Sequence, residues 1–210
     1  SICVERERKV NYRERNEEGK WEKKDSIKIE YVPVTTFRHI FEVNDVTKRY
    51  VEQTANQGFY PNTYYNPTST LDSAACLTIK NTLSVTFEEE FNTLLKFGAM
   101  VYAMNETQRH LSVIPFYLDS VGVPPEITFE NRWTNNTYIG GALYKNRGEH
   151  IHYGFDGNVC LVGYKLGEFQ VNGHIDGGFK LGKDSLTIAA KAFFRNETPD
   201  YYLQRYRSNH

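Results

Sequence analysis

The residues best placed to do chemistry are His150, His152, His174, Asp156 and Asp176. His150 and His152 stand two apart, as do His174 and Asp176, so each pair shares one face of an extended chain. Imidazole nitrogens and carboxylate oxygens are ordinary ligands for zinc and other transition metals. The same side chains also make a plain polar row joined by hydrogen bonds or ion pairs. Nothing else in the chain supplies a clear orienting shell for a metal. The polar row is therefore preferred and no metal site is assigned. Asn172, Lys191 and Arg195 extend that row. Lys191, Arg195 and His174 add positive charge, and Asp156 and Asp176 offset it, so the row carries no strong field of one sign.

Other chemistries have thinner support. Glycoside hydrolysis needs two acids about 5–9 Å apart in a cleft. Asp156 and Asp176 share a face without being directly paired, and Glu88-Glu89-Glu90 reads as a solvated turn. No nucleophile elbow appears. Gly140-Gly141 and Gly177-Gly178 lie in or beside strands and open no helix, so they are not phosphate loops. Close packing opposite aromatics accounts for them. No catalytic residue, enzyme activity or cofactor is expected.

Composition narrows the class further. The 210 residues hold 25 Lys plus Arg against 26 Asp plus Glu, a net charge of −1, which argues against a nucleic-acid footprint. Apolar residues make up 40% and charged residues 24%, as in an ordinary folded domain. Aromatics reach 14%, mostly Tyr and Phe, and that leans towards β-structure. Cys3, Cys76 and Cys160 have neither metal-ligand nor disulfide-framework spacing. No run of 18 apolar residues occurs, so no helix is expected to span a bilayer. A spanning barrel is not excluded, because its strands alternate. There is no apolar signal segment, Ser1 is not an initiator Met, and the chain stops at His210 without an obvious ending. It reads as an excised, internal portion of something longer.

Most of the chain alternates with period two, the mark of half-buried strands. Ile151, Tyr153 and Phe155 alternate with His152 and Asp156; Val171 and Ile175 alternate with Asn172, His174 and Asp176. Ile188 and Phe194 lie opposite Lys191 and Arg195. A fold at 145–148 puts Leu143 against Ile151, Gly141 against Tyr153 and Ile139 against Phe155. A fold near Tyr164 puts Phe155 against Gly173 and Tyr153 against Ile175. A fold at 182–183 puts Ile175 against Ala190 and Val171 against Phe194. One apolar face then persists over four strands, and a slip of one residue would invert it. Leu77, Ile79, Leu83 and Val85 can oppose Leu95, Phe97, Ala99, Val101 and Ala103 in the same way. Over 27–43, Pro33 is expected to break two strands.

Residues 1–25 carry eight Lys/Arg and seven Asp/Glu and are expected to form a charged hairpin or arm turning at Asn16-Glu17-Glu18-Gly19. Residues 26–210 form the remainder. Residues 53–75 and 105–126 read as long connections, whereas 88–94, 145–148 and 181–184 are short. In a meander all the short ones fall on one end, the asymmetry of outer-membrane barrels. Expected strands of about 9–13 residues suit a tilted crossing. Aromatics near strand ends, Tyr144, Tyr164 and Tyr201-Tyr202 among them, could form interfacial girdles.

Alternation does not say which face lies inside. A soluble barrel or sandwich that binds a small ligand or glycan would turn its apolar face inward. A membrane barrel turns it towards lipid.

Several segments resemble the putative-porin family of Bacteroidota outer membranes. They are His39-Ile40-Phe41-Glu42-Val43 with Lys48-Arg49-Tyr50, and Tyr60-Pro61-Asn62 with Ser69-Thr70-Leu71-Asp72-Ser73. Lys80-Asn81-Thr82-Leu83, the stretch from Phe91 to Gly98, Ile139-Gly140-Gly141, and Leu161-Val162-Gly163-Tyr164 with Gly167-Glu168-Phe169 continue the series, which ends at Ser208-Asn209-His210. The resemblance covers about 35–210 and implies a transmembrane β-barrel without catalytic residues. The expectation is all-β: an antiparallel up-and-down meander, part or all of such a barrel in a bacterial outer membrane. It would pass small hydrophilic solutes or ions by passive diffusion and contact outer-membrane lipid, with a homo-oligomer compatible. His150, His152, Asp156, Asn172, His174, Asp176, Lys191 and Arg195 would face the lumen. Ile151, Tyr153, Phe155, Val171, Ile175, Ile188 and Phe194 would face lipid. The soluble binding barrel is the alternative.

Overall fold

The computed structural model describes residues 1–15, 21–53, 58, 70–91, 96–116, 126–148, 151–181 and 184–205. Alternation gives strands almost throughout: β1 Ile2–Arg15, β2 Trp21–Glu52, β3 Thr70–Phe87, β4 Gly98–Phe116 and β5 Glu126–Lys145. β6 Ile151–Gly163, β7 Phe169–Leu181 and β8 Asp184–Asn196 follow, and one helical turn, α1 Tyr201–Gln204, comes last. All eight strands form one antiparallel sheet in chain order, with β1 and β8 at its edges. The fold is thus an all-β up-and-down meander. No helix is long and apolar enough to cross a membrane, which says nothing of crossing by strands.

The expected registers hold for β6–β7 and β7–β8: Phe155 pairs with Gly173, Tyr153 with Ile175, Ile175 with Ala190 and Val171 with Phe194. The β5–β6 register is corrected by four residues. Leu143 pairs with Phe155, not Ile151, and Ile139 pairs with Val159. The connection reaches beyond 148, with pairing starting at Lys145 and Tyr153. The slip is even, so no face changes sides. Phe155 does lie over a glycine: a Cβ on Gly173 would meet its ring at 3.1 Å. Tyr153 does not, because Lys145 and Ile175 are its neighbours.

Three other expectations change. Pro33 does not end a strand. The β1 partners jump from Thr35 to Pro33 between Val4 and Glu5, which leaves Val34 over as a bulge. A bulge accommodates a residue with no N–H, and the Val34 carbonyl takes the Glu88 N–H at 3.0 Å. Residues 105–126 are not a loop. β4 runs to Phe116 and β5 starts at Glu126, paired throughout. β3 likewise begins at Thr70 rather than after 75. Connection 117–125 is then no longer than 88–97, so of the two long connections only 53–69 still exceeds those at the other end. The ends also differ in strand length. β1 and the first part of β2 project past the 88–97 end, and β4–β5 project past the other, where β6 starts pairing only at Asn136. Phe97 falls outside β4, and Leu95 lies outside the described residues.

The acidic turn is not merely solvated. The Glu88 carboxylate accepts the Tyr144 hydroxyl at 3.3 Å, and Glu89 accepts the N–H groups of Asn146 and Arg147 at 2.7 and 3.1 Å. Glu90 pairs with Arg8 at 3.3 Å and with Arg147. One turn therefore ties the β1–β2 ribbon to the β5–β6 connection.

Candidate functional site

Register and parity sort the side chains onto two faces. One hydrogen-bonded row runs Phe87, Ala99, Leu143, Phe155, Gly173, Ala192. The next on that face runs Phe37, Val85, Val101, Gly141, Gly157, Val171, Phe194. This apolar face is the exposed one: Phe155 is 54% exposed, Val101 56% and Phe194 65%. Ile151, Ile175 and Ile188 are exposed on it as well, and Tyr153 is half-buried.

The opposite face carries the polar row and most of the buried side chains. Thr70, Glu106, His110, Thr134, Asn136, Tyr138 and Cys160 are all buried there. The burial is one-sided because the 164–168 turn and the segment after β8 lie over part of this face.

On this face the structure joins His152 to Asp176, Nδ1 to Oδ2 at 3.0 Å, and His152 Nε2 to the Gly148 carbonyl oxygen at 3.1 Å. The Asn172 amide donates to Asp156 at 2.8 Å. His174 is the register partner of Gly154 and Lys191, and Gln170 of Arg195. Arg195 pairs with Glu197 at 3.6 Å and sits over the Phe193 ring. His150 lies outside the described residues. Among the described residues no three His, Cys, Asp or Glu side chains gather as a metal-binding group.

A second cluster lies on the same face, across β2–β5. After β8 the chain turns inward. Thr198 N donates to Glu168 Oε1 at 2.6 Å, and Tyr138 donates to Glu168 Oε2 at 3.1 Å. Tyr201, 6% exposed, stacks on His110 with ring centroids 4.6 Å apart. Its hydroxyl donates to Glu130 at 2.9 Å, and Arg205 pairs with Glu130 at 3.7 Å. Lys48 of β2 lies over the Tyr202 ring. Burial and the Glu130 carboxylate push the Tyr201 phenol above its usual value. Tyr201 is thus a packed inner residue, not part of an outer girdle.

Beneath this cover, His110 bonds Thr134 at 3.3 Å and Lys80 pairs with Glu106 at 3.2 Å. Glu106 Oε1 and Asn136 Nδ2, on register-paired residues, have no partner among the described residues. Such buried orphans cost about 1–3 kcal/mol each, which makes the covered arrangement less secure than its contact density implies.

Sequence reasoning missed this cluster. Glu106, Gln108 and His110 share a parity, as do Thr134, Asn136 and Tyr138, and that alternation was the available signal. No spacing rule links His110 to Tyr201.

A sequence profile described as "Putative porin" matches residues 9–210. The chain belongs to the putative porin family. No curated protein and no solved structure matches it. Membership in a porin family, with an antiparallel all-β sheet, fits a porin-like β-barrel and transport of small solutes across a membrane. It points away from catalysis.

Proposed function

We propose that this porin forms wall of a β-barrel in a bacterial outer membrane, through which small hydrophilic solutes or ions diffuse passively. One observation carries the proposal: the exposed face is apolar, and its apolar band steps diagonally across the strands. On β3 the band lies entirely to one side of the Phe87 row, from Phe87 to Leu77, with Glu88 beyond it. On β8 the same row meets Ala192. There the band reaches back six residues to Leu186 and forward only to Phe194.

A drift of that size over five strand steps is ~20 Å along the strands per ~24 Å across them, a tilt of about 40°. Bilayer-spanning strands tilt by about 35–45°. A hydrocarbon layer of constant height requires such a stagger. Any closed barrel tilts its strands by a similar angle; what separates the two readings is the side, because a soluble ligand-binding barrel would keep these apolar side chains inside.

In this reading Ile151, Tyr153, Phe155, Val171, Ile175, Ile188 and Phe194 meet lipid. His150, His152, Asp156, Asn172, His174, Asp176, Lys191 and Arg195 border water. The mechanism has no bond-making step. Ladder hydrogen bonds satisfy the backbone inside the bilayer, and the polar face keeps a wet path. On β4–β5 the outward face turns polar at Asn105 and Asn135, which exchange amide bonds at 3.0 and 3.2 Å. Trp133 and Arg109 follow, with the guanidinium over the ring. These groups suit the headgroup level, so the β4–β5 tip lies outside the hydrocarbon. The charged β1–β2 ribbon lies outside at the opposite end.

The deciding experiment is conductance of the full-length protein in planar bilayers, with heat-modifiable gel mobility as proof of folding. Stepwise, weakly ion-selective current is expected. Folded, inserted protein that carries no current would overturn the passive channel.

A further inference from the structure

We propose that residues 197–205, folded onto the polar face and held by Glu168, Glu130 and His110, are the element that sets which solutes pass; this rests on the channel reading above. The segment leaves the end of β8, meets the β6–β7 turn at Glu168, reaches β4 and β5 through Tyr201 and β2 through Tyr202, and returns to β5 at Arg205, so it lies across the polar face instead of following one strand. It is anchored at both ends. Thr198 is bonded to Glu168, and Arg205 to Glu130. Between them Tyr201 stacks on His110, and Tyr164 donates to Gln204 at 2.7 Å.

Between this strap and the wall a cavity of about 460 Å³ remains. Lys48 and Arg205 face it together with Asp72, Glu130 and Asp200. Acids and bases are mixed, and Tyr50, Tyr201 and Tyr202 lie between them. Such a lining offers donors and acceptors without a dominant sign. It suits neutral polyhydroxylated solutes of limited size better than multiply charged ones. Among the described residues nothing comparable covers the polar row on β6–β8, which places the discrimination on β2–β5.

Cys76 lines the same cavity, whereas Cys160 is buried and Cys3 is exposed. The cavity therefore carries its own chemical reporter. The test uses the full-length protein with Cys3→Ser as background. It compares that protein with Tyr201→Ala and with a variant whose residues 197–205 are replaced by an equal length of Gly and Ser. Cys76 labelling by a water-soluble maleimide in detergent reports docking of the strap independently of any current. Liposome swelling in sugars of increasing size, with single-channel conductance, reports passage.

Both variants are expected to label at least five-fold faster, to conduct at least two-fold more and to admit larger sugars. Unchanged labelling means the strap does not cover Cys76, and the inference fails. Faster labelling with unchanged conductance and size limit means the strap docks without controlling passage, and it fails equally. A parent that carries no current while the Gly/Ser variant conducts supports the strap as a plug. Absence of current from every folded variant overturns the channel reading itself, and the labelling result then stands separately.

Discussion

The polar face is two different surfaces. On β3–β5 it is covered: Glu106, His110, Thr134, Asn136 and Tyr138 are buried under the Glu168 turn and the strap. On β6–β8 it is open: Asp156, His174, Lys191 and Arg195 are exposed, and His152 and Asp176 are half-buried. Strand alternation builds both in the same way. Among the described residues the difference comes from 197–205, which is not a strand and packs over β2, β4 and β5, touching the other half only at the 164–168 turn. Parity thus decides which side of a sheet a residue occupies, and covering elements decide how dry that side is. A single pair such as His152 and Asp176 therefore belongs to a different energetic class from Tyr138 and Glu168, although both are hydrogen bonds to a carboxylate.

The largest expected effect removes the ground of the comparison. Val171→Arg puts a charge in the middle of the apolar band and should cost about 2–4 kcal/mol of stability in bilayers. Asn172→Arg, one residue on and facing the other way, should insert normally. Unfolding by denaturant in lipid vesicles measures both, and equal losses would erase the distinction between the faces. Next comes Glu168→Ala, which strips the acceptor from Tyr138 and Thr198. A loss of about 1–3 kcal/mol is expected, read as a lower midpoint in the same assay. Asp176→Asn on the open half should cost less than about 1 kcal/mol, because its partner is half-solvated. If the open pair proved as costly as the covered one, cover would not be what separates the two halves.

The smallest effect is one of pH. The docked strap holds the Tyr201 phenol above the ordinary value of 10.0. Its neutral form is therefore favoured by docking. That contribution is complete below pH 10 and disappears as pH rises through the raised value. Alkaline titration at the phenolate absorbance should show one fewer late-titrating tyrosine in Tyr201→Phe than in the parent. A titration identical in the two proteins would contradict the buried placement.

The sequence made some of this legible, for physical reasons that differ by region. β7 and β8 are short, tightly connected and apolar on every second residue, so their register followed from the folds near Tyr164 and at 182–183. β5–β6 slipped because folding at Gly148 ignored how far the connection extends, and only the even size of the slip saved the faces. The 105–126 stretch read as loop because it holds Pro115 and Pro124-Pro125, and Asn105, Thr107 and Arg109 add no apolar alternation against that reading. They are outward residues of a strand that has left the band, and its hydrogen bonding does not depend on that. The lumen row was read from parity alone. The covered cluster was illegible because Glu168 meets Thr198 and His110 meets Tyr201 through tertiary folding, where no local period exists. Pro33 misled for a simpler reason: a missing N–H can be absorbed by a bulge as well as by a strand end.

β2 runs from Trp21 to Glu52 in one piece, and its first thirteen residues, Trp21–Pro33, have β1 as their only strand neighbour among the described residues. At ~3.3 Å per residue that is a handle about 40 Å long, continuous with the wall. The Val34 bulge and the Arg8 and Arg147 contacts to Glu90 sit at its base like a pivot. Force carried down the ribbon would reach the acidic turn through the Arg8–Glu90 pair, and through Glu89 and Glu90 the β5–β6 connection beside His152.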